Sequence, residues 1–393
     1  VDRQSFLNLI SREGLALLDS VGEIDSKTDV VKLVAKLRKA GHNPELVGDV
    51  LTQVKLRRKA EAKFGDFSKS MLFTQAGLEQ ASRLQVAAIH AGRFRSSGLT
   101  HIADLGCGIG AESLALASLD LQVSAFELDE VTAAIATYNL ANFSNVTVEQ
   151  EDVTKLELDK YDGLFLDPAR RDERKRKFDP IDFTPNYDFV LESARKKPTI
   201  VKLGPGMDHD LIPDDAEAVW VSVDGELVEV ALYFGKVKRT EVSRAALLIT
   251  SNGFHELTSA NKARTDAELG ELGEYIYEPD NSIIRSHLIG NLAAQLNLKL
   301  IANEIAYLSG DSVDSPWLKK YKLIDSLAFD RKKLKAYLKE LNVGPLEIKK
   351  RGADITPEQL RRELNLKGTK PATIIVTRVQ DQHRVLVVEP VKQ

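Results

Sequence analysis

Residues 101–110 read His-Ile-Ala-Asp-Leu-Gly-Cys-Gly-Ile-Gly. His101 to Leu105 has the short apolar character of a buried strand, and Ala111 to Leu119 reads as the helix behind it. Gly106, Gly108 and Gly110 between them predict a tight turn. A residue without Cβ lets the backbone bend freely and approach a ligand closely. The free N–H groups at the helix start then face whatever the loop holds. Asp104 stands two residues before the first glycine.

Two ligands are compatible with the glycines. Gly106 to Ala111 also satisfies G-x-G-x-x-[GA], the dinucleotide pattern. An acidic residue beside the loop argues against a pyrophosphate. It suits a cation such as S-adenosylmethionine, whose amino group and sulfonium are both positive. On Asp104 and the three glycines the sequence resembles the class I methyltransferases, whose first motif is an acidic residue followed by G-x-G-x-G. The competing reading is a structural turn with no ligand.

The 393 residues allow two or three domains, and 43% hydrophobic with 28% charged residues fits a globular protein. No apolar run approaches the ~18 residues of a membrane span, and no basic start with an apolar core marks a signal peptide. Cys107 is the single cysteine, so no internal disulfide or multi-cysteine metal site is expected, and a reducing cytoplasm is the default location. The net charge of −4 hides an asymmetry: residues 331–370 hold twelve Lys/Arg and five Asp/Glu, or +7, leaving −11 elsewhere.

Residues 1–95 read as helical, over Asp2–Leu18, Thr28–Ala40, Asn43–Phe64 and Gln75–Phe94, with Asn43-Pro44 as a cap followed by proline at the first helical position. Residues 96–240 alternate strand and helix, the pattern of a parallel sheet covered on both faces. The strands are His101–Leu105, Gln122–Phe126, Val146–Gln150, Gly163–Leu166 and Thr199–Leu203, closed by Glu217–Val223 and Glu226–Phe234 around an Asp224-Gly225 turn. Glu127 ends the second strand about twenty residues past the loop, where a carboxylate in a doubly wound fold meets ribose hydroxyls.

The resemblance implies an α/β fold with a Rossmann-like seven-stranded methyltransferase sheet. It implies that Asp104, Gly106, Gly108, Gly110 and Glu127 hold S-adenosylmethionine and that Asp152 accepts from the adenine amino group, with Glu151 the alternative. In such enzymes the segment before the first strand often lies over the cofactor, which makes Phe73 and Thr74 candidates beside a plain core reading.

The fourth strand ends in Asp167-Pro168-Ala169-Arg170, at the strand end where open α/β sheets place their chemistry. This stretch resembles the [D/N]-P-P-[aromatic] motif of amino-group methyltransferases acting on nucleic acids. Ala169 and Arg170 depart from it, and a guanidinium can stack on a base or contact phosphate. Asp167, Pro168, Arg170 and Lys202 are the catalytic candidates. Arg171, Arg174, Lys175, Arg176 and Lys177 follow at once as candidate phosphate contacts. Lys202 and Glu229 each sit within an otherwise apolar strand. They read either as a buried ion pair or, with Lys63 and Asp167, as a set resembling the tetrad of RNA 2′-O-methyltransferases.

Residues 241–325 read as an α+β connecting, partly ferredoxin-like region, with strands at Ala245–Ile249, Tyr275–Asp280 and Glu304–Leu308 and a helix at Ser282–Leu296. Residues 326–393 add a basic helix at Arg331–Leu341, a strand running into Lys349, Lys350 and Arg351, a capped helix from Thr356 to Leu364 and two closing strands. This end resembles the THUMP-like domain of a bacterial methyltransferase family, and THUMP domains proper bind RNA; Lys349, Lys350 and Arg351 are candidate RNA contacts. The expectation is an S-adenosylmethionine-dependent methyltransferase of a base nitrogen in tRNA or rRNA. The alternatives are ribose 2′-O-methylation, a small-molecule or protein substrate, and non-catalytic RNA binding.

Overall fold

The computed structural model describes residues 3–22, 30–170 and 183–391, with residues 169 and 170 described by their backbone alone. The chain divides into two compact units. The first comprises residues 1–203, 213–216 and 232–238; the second comprises 204–212, 217–231 and 239–393.

The first unit opens with helices α1 (Arg3–Ile10), α2 (Arg12–Val21), α3 (Val30–Lys39), α4 (Pro44–Phe64), α5 (Gln75–Gln80) and α6 (Leu84–Ser96). Two of the predicted helices are each split. Ser11 turns its hydroxyl onto the Gly14 N–H at 3.0 Å and starts α2 afresh. Between α5 and α6, the Lys63 ammonium donates to the carbonyls of Leu78, Glu79 and Ala81 at 2.8, 2.9 and 2.8 Å. Carbonyls turned to a cation end the helix that hydropathy alone would continue. The start of α4 follows the sequence: the Asn43 side chain accepts from Glu45 N–H at 2.8 Å, with Pro44 in the first turn.

Strands β1 (His101–Leu105), β2 (Gln122–Glu127), β3 (Val146–Gln150), β4 (Gly163–Leu166), β5 (Thr199–Leu203), β6 (Glu217–Val223) and β7 (Glu226–Phe234) follow. Between them lie α7 (Ala111–Ser118), α8 (Glu130–Leu140) and α9 (Tyr187–Lys196). In the first unit the order is β3-β2-β1-β4-β5-β7, and the first five strands pair in parallel. The first unit holds β7 from Leu232 onward; its earlier residues belong to the second unit. One apolar core runs from α1 through α4 (Leu9, Val50, Phe64) to α7 and α8 (Leu114, Ile135, Leu140).

In the second unit β7 neighbours β6, then β8 (Arg244–Thr250) and β9 (Gly253–Ser259). Asp224 and Gly225 both have positive φ, 51° and 80°, as a two-residue hairpin turn requires. β8 and β9 thus extend the expected seven-strand pattern; β9 escaped the sequence reading because its alternate residues are exposed and polar.

Next come β10 (Tyr275–Pro279), helices α10 (Asn281–Arg285) and α11 (Ile289–Leu296), β11 (Lys299–Leu300), β12 (Leu308–Gly310) and β13 (Leu318–Ala328). The chain ends with α12 (Arg331–Glu340), β14 (Val343–Lys350), α13 (Pro357–Leu364), β15 (Lys370–Val379) and β16 (Gln382–Pro390). A second sheet has the order β11-β12-β10-β13-β16-β15-β14. Successive residues of β15 serve opposite faces. Ile374 and Val376 pack with Leu334, Leu338, Leu360 and Leu364 of α12 and α13, while Ile375 packs with Ile301, Tyr307 and Tyr321. The expected strand Glu304–Leu308 is instead a turn with Glu304 at φ 61°, and pairing begins at Leu308. The expected helix Ser282–Leu296 breaks at His287, φ 59°. β13 was hidden by charge: Lys320 is buried within it, satisfied by Ser312 and Asp314.

Candidate functional site

The glycine loop leaves β1 with Gly106, Gly108 and Gly110 at φ 96°, 55° and 89°. A side chain at Gly110 would press on Leu140 of α8, at 2.9 Å from its Cδ1. The loop is anchored to β2: Gly106 and Cys107 N–H both donate to the Phe126 carbonyl at 2.9 Å. Glu127 uses one oxygen for Gly108 N–H and the other for Asp129 N–H, both at 3.0 Å. Cys107 is buried, and burial raises its thiol pKa well above the ordinary value.

Asp104, in β1 just before this loop, is fully buried. Its Oδ2 accepts from the Ser113 hydroxyl of α7 at 2.6 Å, while Oδ1 has no hydrogen-bond partner among the described residues. Burial pushes its carboxyl up to about 7, against the Ser113 hydrogen bond and with further repulsion from Glu112, Asp167 and Glu127. A buried carboxyl with an empty acceptor position, among other carboxylates, is incomplete without a cation. The donor set therefore fits S-adenosylmethionine and opposes a pyrophosphate.

Asp167 ends the strand next to β1. Its carbonyl lies 3.7 Å from the point a Gly106 Cβ would occupy, so the Asp167 backbone borders the glycine loop. Its Oδ2 accepts from Lys202 Nζ at 2.5 Å, and Lys202 also donates to the Gln80 carbonyl at 3.0 Å. Glycine loop, Asp104, Glu127, Asp167 and Lys202 are thus brought together at the ends of β1, β2, β4 and β5.

Asp152 lies past β3; its Oδ1 accepts from Thr154 N–H and hydroxyl at 3.0 and 2.7 Å, which lowers its pKa. Phe73 is fully buried, its ring 5.5 Å from that of Phe64, and the Thr74 hydroxyl caps α5 through Gly77 N–H. Pro168 leads into a two-residue ribbon, Ala169–Arg170 against Phe183–Thr184. The Arg170 side chain and Arg171, Arg174, Lys175, Arg176 and Lys177 lie outside the described residues. Lys349 is half-buried and donates to Glu278 at 2.7 Å; Arg351 covers the Tyr307 ring and donates to the Ala306 carbonyl at 3.0 Å. Lys350 is exposed. Glu229 is buried in β7.

Three supporting residues escaped the sequence reading. Ser113 orients Asp104. Asn139 of α8 accepts from Leu72 N–H at 2.7 Å and donates to the carbonyls of Leu72 and Ile109 at 3.1 and 2.9 Å. Gln53 of α4 brackets Phe73 the same way, with bonds of 3.0 and 2.8 Å. A polar residue on a helix carries no mark of its burial, so pattern reading passes over it.

Fold and site together define a class I, S-adenosylmethionine-dependent methyltransferase. The chain is 30% identical over 333 residues to Rv3037c of Mycobacterium tuberculosis, an uncharacterized S-adenosylmethionine-dependent methyltransferase, covering 82% of this chain and 90% of that protein. The chain belongs to that methyltransferase family. A crystal structure from Porphyromonas gingivalis W83, of a protein described as a candidate methyltransferase, superposes with a TM-score of 0.72 at 20% identity, over 90% of this chain and 92% of that one. A family model for a THUMP domain-like region matches residues 318–390, and one for a domain of unknown function matches residues 2–60. Over 68 residues the chain is also 37% identical to ribosomal RNA small subunit methyltransferase A of Streptococcus gordonii, covering 17% of this chain and 23% of that protein.

Proposed function

We propose that this methyltransferase acts on structured RNA, tRNA or rRNA, at a base nitrogen. The observation that carries the RNA target is the THUMP domain-like match over residues 318–390, in the same chain as the methyltransferase fold. The basic run from Arg170 to Lys177 beside Asp167 supports it.

Bound S-adenosylmethionine supplies a methyl group on a sulfonium, already reactive toward a nucleophile. Catalysis then rests on positioning and exclusion of water. Asp104 and Glu127 would hold the cofactor's positive and hydroxyl groups, with Asp152 at the adenine. The Asp167 side chain or carbonyl would accept a hydrogen bond from the acceptor N–H, turning its lone pair toward the methyl. Lys202, anchored on Gln80, fixes the Asp167 carboxylate from the other side. Base nitrogen is favoured over ribose oxygen because Lys63 donates to three carbonyls near the end of α5, contacts that compete with a role as the first lysine of the 2′-O tetrad.

The test is transfer of a tritiated methyl to total RNA from a strain lacking the protein, followed by nucleoside analysis. A labelled base is expected, with labelling lost in Asp167→Ala while S-adenosylmethionine binding persists. A labelled 2′-O-methylnucleoside would replace the base reading with the ribose one. Unlabelled RNA with intact cofactor binding would overturn the RNA target.

A further inference from the structure

The second unit contains a cavity of about 160 Å³ whose lining includes Arg264, Thr265, Arg285, His287 and Glu304. None of these residues takes part in the methyltransferase site, and all precede the THUMP domain-like segment. The His287 ring stacks on His209 at 3.7 Å and 6°, and His209 stacks in turn on buried Trp220 at 4.9 Å and 16°. His209 Nε2 donates to the Arg285 carbonyl at 2.8 Å, which fixes its tautomer. Arg285 itself donates to the carbonyls of Pro205 and Met207 at 3.3 and 3.0 Å.

Arg244, only 5% exposed, lies close enough for its charge to act on both histidines. Its Nε and Nη2 donate to carbonyls of Asn261 and Ala263, and its Nη1 is buried with no acceptor among the described residues. The charges of Arg244 and Arg285 fall on both histidines, and that of Arg264 on His287. Burial, the His209 ring and these arginines push His287 down to about 4. Asp266 is taken by Arg264 at 2.5 Å, Asp208 lies beside His209, and Glu304, exposed, lines the cavity itself. Among the described residues Arg244 and Arg285 thus have carbonyl partners, and the buried Arg244 Nη1 is left over. Arg244, a cation withdrawn from water with carbonyl partners and no carboxylate partner among the described residues, favours an anion nearby.

We propose that this cavity is an oxyanion site that binds a phosphate group through Arg264, Arg285 and His287, with the nearby Arg244 adding positive charge. The volume is below the ~300 Å³ at which drug-sized pockets begin, so it suits one phosphate and not a whole nucleotide. Guanidinium groups match that geometry with paired donors. The phosphate is either a backbone phosphate of a nucleic acid or a free phosphate. The assignment of the cavity stands apart from the RNA reading.

The experiment titrates inorganic phosphate into the full-length protein, followed by ³¹P line broadening, in wild type, Arg264→Gln and His287→Asn. Asparagine tolerates the left-handed backbone at 287. Saturable binding is expected in wild type, weakened about tenfold or more in each variant, the loss of one charge-assisted hydrogen bond. Unchanged S-adenosylmethionine binding shows that the variants are folded. Displacement of the phosphate by tRNA assigns the site to backbone phosphate; binding that tRNA leaves untouched assigns it to free phosphate. No saturable binding in wild type, or binding equal in all three proteins, overturns the proposal.

Discussion

At the scale of single residues, Asp104 carries the most tension. Its ordinary carboxyl value is 3.8, and the fold holds it at about 7 by burial. Between those values the folded chain binds a proton that the unfolded chain has lost. Stability therefore falls as pH rises through that window and stays lower above it. Replacing Asp104 with Asn removes this cost. The cofactor-free variant is expected to melt a few degrees above wild type at pH 8, with no gain at pH 4, while S-adenosylmethionine affinity is lost. In wild type, affinity is expected to rise between pH 6 and 8 as the carboxyl ionises to meet the ligand's positive charge. Thermal melts and calorimetric titrations at several pH values check both signs; a pH-independent affinity would remove Asp104 from the cofactor site.

Elements are held in place by polar groups that hydropathy does not report. Asn139 ties α8 to Leu72 and to the carbonyl of Ile109 inside the glycine loop. Asn139→Ala strands three buried backbone groups. It is expected to cost about 2–4 kcal/mol in urea unfolding and to weaken cofactor binding, because the loop loses its support. In the second unit, Arg239 donates to fully buried Glu217 at 2.8 Å and, with both terminal nitrogens, to Glu256 at 2.7 and 2.8 Å. Arg239→Met takes the guanidinium from a buried carboxylate and is expected to cost roughly 3 kcal/mol, measured by denaturant titration. The α5–α6 break belongs to this scale too. Gln75 to Phe94 reads as one helix locally, and the break comes from Lys63, on a different helix.

For the molecule as a whole, the RNA proposal predicts a specific salt response. The logarithm of RNA affinity should fall linearly with the logarithm of salt concentration, because phosphate contacts release counterions, while S-adenosylmethionine affinity stays nearly flat. Filter binding against cofactor titration at matched salt checks this, and RNA binding indifferent to salt would count against it. Among the described residues no helix is long and apolar enough to cross a membrane.

The glycine loop and the alternation of strand and helix were legible because they are local. A strand needs its apolar run, and a tight turn its glycines, within a few residues of each other. Family and cofactor followed from the resemblance of Asp104 and the glycine loop to the first class I methyltransferase motif, and the parallel sheet from the alternation of strand and helix after it. The burial of Asp104 beneath Ser113, the Asp167–Lys202 contact and the stacked histidines were decided by tertiary structure. Each joins residues distant in the chain, and desolvation and partner geometry, which set their chemistry, exist only once the elements have packed. Lys349 and Arg351 show the same division. A basic run reads alike whether it faces solvent or, as here, reaches Glu278 and Tyr307 inside the fold.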